Sequence, residues 1–168
     1  MNLRLADELT EEERQQLYGW GEDIFGMAGV GLQWRPKDRH LFVEVDGRVV
    51  THVGLLQHAV RVGEDAVKVA GVGGVVTVGD QQGRGYASHA MRHVASLMCR
   101  EWEVDFGMLF CREALVPFYQ GLAWQRVEHP VEVEQPSGRI VFPLAVMVLP
   151  CKGQEWPAGP VRLESLPW

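Results

Sequence analysis

A glycine-rich loop between a predicted strand and a predicted helix constrains the fold of this chain more than any other feature. Residues 69–78 are rich in valine, residues 82–87 are Gln-Gly-Arg-Gly-Tyr-Ala, and an amphipathic helix pattern begins at Arg84. Glycines let the backbone turn sharply and bring several N–H groups together, while the positive end of the following helix adds about half a unit charge. This order of strand, glycine turn and helix predicts a site for an anionic cofactor.

The length of the chain predicts one compact domain over residues 1–168. A chain of 168 residues buries roughly 70% of its unfolded surface on folding, so it needs no disulfide or metal to stabilise it. We find no internal repeat, low-complexity segment or domain boundary. Only residues 150–168, which carry several prolines and two tryptophans, differ in character, and we expect them to form a C-terminal tail.

The charge balance argues against nucleic acid as a partner. The chain has 22 acidic and 16 basic residues, a net charge of −6 and an isoelectric point near 5.5, whereas a nucleic-acid surface is positive. An acidic surface suits cationic small molecules, and it is also the ordinary way for a protein to stay soluble. No apolar run approaches the ~20 residues that span a bilayer, so we expect no membrane association.

The cysteines indicate neither a disulfide framework nor a zinc site. Cys99, Cys111 and Cys151 are widely spaced, form an odd set and contain no Cys-x-x-Cys pair. Free thiols are typical of a reducing compartment. We therefore expect a cytoplasmic protein without disulfide bonds.

The hydrophobic pattern predicts an α+β fold with one mixed, largely antiparallel sheet flanked by helices. Capping-box spacing between Thr10 and Glu13 opens a helix that we expect to reach residue 26. Turn signals such as Asp46-Gly47 separate three strands into an antiparallel meander before the glycine loop. Further along, we expect a helix, a buried strand, a short helix and a final strand pair. The predicted strands are 40–45, 49–62, 66–78, 105–111, 124–134 and 139–149, and the later helices are 84–102 and 116–120.

Two motifs resemble those of the GNAT N-acetyltransferase superfamily. A P-loop would need Gly-Lys-Ser or Gly-Lys-Thr, and the dinucleotide fingerprint would need a third glycine where Ser88 stands. The pattern Gln-x-x-Gly-x-Ala, carried by Gln82, Gly85 and Ala87, resembles motif A of that superfamily. Residues 113–124 resemble its motif B, a short helix that ends in a tyrosine. The alternative interpretation of the loop is a tight turn that binds no ligand.

The resemblance implies the acyl-CoA N-acyltransferase fold and acetyl-coenzyme A as co-substrate. In that family the loop grips the coenzyme A pyrophosphate, and an acceptor amine attacks the thioester between two splayed strands. A bulge in the strand before the loop would free backbone N–H groups, and one such donor can contribute ~3 kcal/mol to catalysis. The implied cofactor-binding residues are Val75, Val76, Thr77, Gln82, Gly83, Arg84, Gly85, Tyr86 and Ala87.

Tyr119 and His52 are the candidate catalytic residues. Tyr119 matches the family tyrosine that protonates the leaving thiolate, and the alternative is a tyrosine packed in the core. His52 is the candidate base because strand alternation places it on one face with Gly54, and the alternative is a structural histidine. His89 and His93 have the i,i+4 spacing of metal ligands, but no third ligand is in view, so we predict no metal.

The tail carries a narrower resemblance, to aminoglycoside 2'-N-acetyltransferases. Cys151 followed by Glu-Trp-Pro-Ala-Gly at 155–159 is similar to their ending, and Trp168 would correspond to a tryptophan near the acceptor. Gly73 and Pro160 occupy the positions at which those enzymes have acidic residues, and this difference argues for a different acceptor.

We therefore expect an acetyl-CoA-dependent N-acetyltransferase that acts on a primary amine of a small molecule. An amino sugar or an aminoglycoside-like polyamine is one acceptor class to test. The alternatives are a longer acyl donor, a non-catalytic acyl-CoA sensor, or a domain that binds another nucleotide. Whether the chain forms a homodimer is left open.

Overall fold

The computed structural model describes all residues, 1–168, as one mixed sheet of ten strands with three α-helices packed against it. The strands are β1 Asn2–Ala6, β2 Arg39–Val45, β3 Arg48–Val62, β4 Asp65–Thr77, β5 Phe106–Cys111, β6 Gln125–Arg126, β7 Val131–Gln135, β8 Gly138–Val141, β9 Ala145–Pro150 and β10 Val161–Arg162. The helices are α1 Glu11–Tyr18, α2 Tyr86–Ser96 and α3 Val116–Gln120. The predicted α+β class is confirmed.

Four antiparallel strands, β1 to β4, precede the glycine loop. The meander of β2, β3 and β4 matches the prediction, and β1 is an additional strand that pairs with β2. Asp46 and Gly47 make the turn between β2 and β3 with positive φ values of 50° and 77°. Such left-handed pairs match the twist of a two-residue hairpin, which is why Asp-Gly is common there.

The sheet opens between β4 and β5. These two strands are parallel and pair only from Val69 with Phe106 to Val72 with Leu109. Beyond that point β5 stays paired with β9 up to Cys111, while β4 continues to Thr77 without β5 beside it. A cleft therefore forms at the carboxyl end of β4, directly before the glycine loop.

Two of the predicted element boundaries are wrong. The N-terminal helix ends at Tyr18 and not near residue 26, because Gly19 and Gly21 follow and weaken helix propagation. The predicted final pair forms across its predicted turn, but it is interrupted into two segments, β7 with β8 and β6 with β9. Pro130 and Pro143 interrupt the two long predicted strands, since proline cannot donate to a strand ladder.

The tail is part of the folded domain. Its strand β10 pairs antiparallel with the end of β3 and parallel with β7. Leu163 and Trp168 are buried, at 0% and 2% exposure, in a hydrophobic cluster with Phe106 and Met108. Burial of each such side chain contributes roughly 1.5–3 kcal/mol, so the tail helps to hold the sheet together.

The expectation of three unpaired cysteines is wrong. Cys99 and Cys151 form a disulfide that links the π-helical segment Leu97–Glu101 to the end of β9, and Cys111 is free and buried. The two cysteines are 52 residues apart in the sequence, and only the fold brings them together. The cysteine argument for a reducing compartment therefore has no support. None of the helices is long and apolar enough to cross a membrane.

Candidate active site

The glycine loop has the backbone geometry of an anion cradle. Gly83 and Gly85 have φ values of +74° and +82°, a region that favours glycine, and Gly85 caps the N-terminus of α2. A Cβ atom at either glycine would meet nothing within 4 Å, so the loop faces open space. No backbone carbonyl accepts a hydrogen bond from the N–H of Gly83, Arg84 or Gly85. These donors are free to bind an anion at the positive end of the helix.

Two side-chain contacts hold this loop in place. Gln82 donates through Nε2 to the carbonyl oxygen of Thr77 at 3.1 Å, which ties the loop to the end of β4. Arg48 pairs with Asp80 through two nitrogens at 2.7 and 3.2 Å, which ties the preceding turn to β3. The cradle is therefore anchored to two strands of the sheet.

All of the predicted cofactor residues line one cavity of about 540 Å³. The residues at the end of β4, the glycine loop and Tyr119 of α3 form its walls. The residues that the sequence analysis missed in this cavity are Gln81, Ser88, Arg112, Leu115 and Phe118. The cavity continues into the cleft between β4 and β5, where Gly73, Gly74 and Leu109 line it. An elongated cofactor with an anionic end and an apolar arm fits this shape.

A bulge in β4 stands at the inner end of the cleft. The β3–β4 register shifts so that Gly74 and Val75 together face Val53, and Gly74 has a φ of +58°. A bulge interrupts the ladder and changes the direction of backbone groups, as expected for the strand before the loop. The bulge lies where the cofactor cleft meets two further cavities.

A family model described as the acetyltransferase (GNAT) domain matches residues 8–127, most of the chain. This chain belongs to the GNAT acetyltransferase family. This membership makes it an N-acetyltransferase. The matched segment ends before the tail, so the narrower resemblance to aminoglycoside 2'-N-acetyltransferases is not established.

Solved structures share the fold at low sequence identity. A GNAT family acetyltransferase from Brucella melitensis in complex with acetyl-CoA has a TM-score of 0.58 and 15% identity, covering 95% of this chain and 94% of the other. The GNAT family N-acetyltransferase YhbS from Escherichia coli in complex with CoA has a TM-score of 0.58 and 15% identity, covering 97% and 89%. Escherichia coli ElaA has a TM-score of 0.59 and 15% identity, covering 88% and 98%. No curated protein matches the sequence.

Tyr119 of this acetyltransferase lies in the wall between the cofactor cavity and the cleft. Its side chain is 5% exposed and packs edge-on against Phe118 and Trp124. Burial raises the pKa of Tyr119 above its usual value of 10, so the hydroxyl stays protonated at physiological pH. A protonated hydroxyl beside the cleft can donate to a leaving thiolate.

His52 lies at the floor of a second cavity, with 2% exposure. Its Nδ1 donates to the carbonyl oxygen of Gly74 at 2.7 Å, and the hydroxyl of Tyr18 lies 3.0 Å from the same nitrogen. Since a carbonyl only accepts, Nδ1 carries the proton and Nε2 is left as an acceptor. The Nδ1 of His40, 2.9 Å away, then donates to that Nε2. This arrangement leaves the Nε2 of His40 unprotonated.

Both histidines are neutral bases near pH 7. Burial lowers the pKa of His52 to about 4. Burial, followed by the charges of Arg14 and Lys37, lowers the pKa of His40 below 6.5. A histidine pair of this kind can take a proton from a group bound in the cavity that they line.

A third cavity, of about 300 Å³, adjoins the cleft at the bulge and is called the acceptor cavity here. Four aromatic residues, one methionine and Lys37 surround it, next to the Gly73–Gly74 backbone. Trp168 is one of its walls, and its indole donates to the carbonyl oxygen of Met108 at 3.1 Å. The aromatic members are Phe25, Trp34, Phe110 and Trp168. The side chain of Trp168 is held in place by the hydrogen bond to Met108 and by T-shaped contacts with His58 and Phe110.

Sequence reasoning missed Lys37, His40 and Arg112. The hairpin turn at 46–47 gave no sufficient signal for His40, because only a register shift between Val43 and Glu44 places Phe42 opposite His52 and makes His40 a diagonal neighbour. Arg112 follows the buried strand β5 directly, and its Nε is buried without a partner beside the cofactor cavity. Lys37 lies between the glycine- and proline-containing segment that ends at Pro36 and the predicted strand 40–45, and no sequence pattern marked it as a site residue.

No group of three or more His, Cys, Asp or Glu side chains lies close enough together to hold a metal ion.

Proposed function

We propose that this acetyltransferase transfers an acetyl group from acetyl-CoA directly to the primary amine of a small molecule. The observation that carries the proposal is the position of the Gly74–Val75 bulge. The cofactor cleft, the histidine cavity and the acceptor cavity all meet at Gly74. A donor carbonyl and an acceptor amine that occupy these adjoining cavities would therefore come into contact at one point, as direct transfer requires.

The residues of the glycine loop and of β4 would hold the donor. Free N–H groups at Gly83 to Gly85 suit a diphosphate, and the unpaired edge of β4 at Val75, Val76 and Thr77 suits the amide-bearing arm of coenzyme A. When bound, acetyl-CoA supplies the activated acetyl group as a thioester. Loop and strand therefore fix the position of the reacting carbonyl.

The acceptor amine needs a proton acceptor, because a protonated amine has no lone pair. We assign this role to the His52–His40 pair. The Nε2 of His40 takes the proton. His52, oriented by the Gly74 carbonyl, accepts the hydrogen bond from the Nδ1 of His40 and so stabilises the charged ring. The nitrogen lone pair attacks the carbonyl carbon, the carbon–sulfur bond breaks, and an amide forms.

Tyr119 would donate to the sulfur that leaves. Its substitution separates an enzyme from a sensor that only binds the cofactor. Tyr119→Phe is expected to lower kcat about 100-fold or more, since general acids contribute roughly 10²–10⁴. The dissociation constant of acetyl-CoA, measured by calorimetry, should change less than about twofold, because phenylalanine keeps the ring packing against Trp124.

Unchanged kcat in Tyr119→Phe would remove the acid from the mechanism. Thiol release by no amine in a broad panel, with acetyl-CoA still bound, would favour the sensor. A thermal shift with another nucleotide and none with coenzyme A would favour a different ligand, since a ligand at 100 times its dissociation constant adds about 2.7 kcal/mol. Longer acyl donors are tested with the same thiol-release assay.

An aminoglycoside-like polyamine is the second acceptor class, suggested by the resemblance of the tail. Recognition of a polycation calls for carboxylates near the reacting amine. No side-chain carboxylate lies around the acceptor cavity itself, and its one charged side chain is Lys37, whereas Asp7 and Glu8 line the adjoining histidine cavity. The composition of this cavity favours an acceptor of lower positive charge.

A further inference from the structure

The acceptor cavity combines an aromatic wall with one buried cation. Phe25, Trp34, Phe110 and Trp168 supply ring surface, and Lys37 is the only titratable residue among those that line it. Ligand sites of this type are largely apolar, with a few polar groups that fix the orientation of the ligand. The position of Lys37 therefore decides which polar group of the ligand the cavity selects.

Two glycines place the side chain of Lys37 over the sheet. Gly54 and Gly73 are register partners on β3 and β4. A Cβ at Gly54 would lie 2.5 Å from Cγ of Lys37, and a Cβ at Gly73 would lie 2.8 Å from its Cε. The two glycines thus form a groove for the aliphatic chain, and the ammonium group is held at the bulge.

The ammonium group of Lys37 has no side-chain anion as a partner. The main-chain carbonyl carbon and oxygen of Trp168 lie beside the Cε of Lys37 at Gly73, 2.8 and 2.9 Å from a Cβ built there. The one hydrogen bond of the ammonium group is a 3.3 Å contact to the carbonyl oxygen of Arg35. It forms no ion pair. The nearby carboxylate of Asp38 pairs instead with Arg35, with 3.9 Å between Oδ2 and Nη2. Burial lowers the pKa of Lys37 to about 8, which reflects the cost of this desolvated charge. An ammonium ion has three donors, so an anionic ligand atom would both satisfy them and neutralise the charge.

We propose that the acceptor cavity binds an amine that also carries a carboxylate and an apolar or aromatic group, with the carboxylate paired to Lys37. This inference rests on the proposed function. The ammonium is held next to Gly73, one residue from the bulge where the reacting amine would lie. Carboxylate and amine must therefore be close together in the acceptor, as in an aromatic or large aliphatic α-amino acid.

The acceptor preference is tested with matched amines in a thiol-release assay. L-phenylalanine is compared with 2-phenylethylamine, which lacks the carboxylate, and with phenylalaninamide, which lacks its charge. Spermidine and kanamycin represent the polycations. We expect kcat/KM for phenylalanine to exceed that of both analogues by at least about tenfold, which is typical of one charge-assisted hydrogen bond. The polycations should be poorer still.

The role of Lys37 is tested with Lys37→Met, which keeps a straight chain in the glycine groove. We expect kcat/KM for phenylalanine to fall about 10- to 100-fold, while that for 2-phenylethylamine changes less than about threefold. Lys68→Met, on an exposed position of β4, is the control and should change neither value. Calorimetric titration of phenylalanine into the enzyme saturated with coenzyme A gives the same comparison without turnover.

Preference for spermidine or kanamycin, or an equal loss for all amines in Lys37→Met, would overturn the inference. If Lys37→Met does not fold, the comparison of acceptors on the wild-type enzyme and on Lys37→Gln decides the question. Failure of the proposed function looks different. In that case no amine releases thiol although acetyl-CoA binds, and the calorimetric titration alone shows whether Lys37 pairs with a carboxylate.

Discussion

Hydrogen bonds from the main chain determine what the side chains of the histidine pair can do. The Gly74 carbonyl fixes the proton of His52 on Nδ1, and this in turn fixes the proton of His40 on Nδ1. The free nitrogen of the pair therefore belongs to His40, which is less buried than His52. A strand bulge and two side chains together make a base that neither histidine would make alone.

The pH dependence of activity tests this arrangement. A base must be unprotonated to accept a proton, so kcat/KM should fall at low pH with a midpoint below 6.5, the usual pKa of histidine. Burial lowers the pKa of His40, the charges of Arg14 and Lys37 lower it further, and Glu13 and Asp38 oppose them. His40→Asn should lower kcat about 100-fold and abolish this acid limb.

His93→Asn, on the exposed side of α2, is the matched control for the pH profile and should keep both rate and acid limb. Persistence of the acid limb in His40→Asn would assign it to another group. Asp7, Glu8 and Tyr18 also line the cavity and are the next candidates.

At the scale of elements, the junction of β4, the glycine loop and α2 is the cofactor site that we propose. β4 ends without a neighbour on one side, the loop turns through two left-handed glycines, and the first turn of α2 presents its free N–H groups. These features act together because Gln82 and the Arg48–Asp80 pair anchor the loop to the sheet. A change in the loop backbone should therefore affect binding more than folding.

Gly85→Ala tests the loop against Gly47→Ala, the matched control. Both glycines have positive φ, and a Cβ added at either one would meet no other atom within 4 Å. Each variant should therefore lose about 1 kcal/mol of stability, the cost of a left-handed conformation for alanine. Only Gly85→Ala should weaken acetyl-CoA binding, by up to about tenfold. Alanine disfavours the left-handed conformation at residue 85, so a smaller fraction of the free protein has the loop conformation that binds acetyl-CoA. Calorimetry with acetyl-CoA and urea unfolding provide the two measurements, and equal affinities in the two variants would contradict the cradle.

At the scale of the whole molecule, the chain closes on itself through the tail. β10 joins β3 to β7, Trp168 fills space beside Met108, and the disulfide links Cys151 to Cys99 across 52 residues of sequence. These contacts place the residue that forms one wall of the acceptor cavity. The tail is therefore structural as well as a part of the candidate site.

Removal of the disulfide should destabilise the fold without changing the site. In the chain-entropy model a cross-link of this span contributes about 4 kcal/mol, and measured values are commonly about 2–4 kcal/mol. The double variant Cys99→Ser/Cys151→Ser should lose stability in this range by urea unfolding, with KM for acetyl-CoA unchanged. Reductant should lower the unfolding midpoint of the wild type and should not change that of the double variant. If reductant leaves the unfolding midpoint of the wild type unchanged, the disulfide adds nothing to stability.

Local patterns in the sequence predicted the elements that depend on nearest neighbours. The capping box at Thr10, the Asp46-Gly47 turn and the helix at 116–120 follow from spacing and turn chemistry, and the structure contains all three. The N-terminal helix was predicted too long and the final strand pair was predicted without an interruption, because hydrophobic runs were extended through glycine and proline positions. Short strands such as β10 exist only through their partners, so no local pattern indicates them.

By itself, the sequence determined the class of the fold and the cofactor loop, because a glycine turn between a strand and a helix needs only local backbone geometry. The tertiary structure alone decided the rest of the site. The His40–His52 pair, the Lys37 groove over Gly54 and Gly73, and the Cys99–Cys151 bond all join residues that are distant in sequence. Their positions depend on strand register and on two register shifts, one in the β2–β3 ladder and one in the β3–β4 ladder. A register shift of one residue reverses the face of every side chain on a strand.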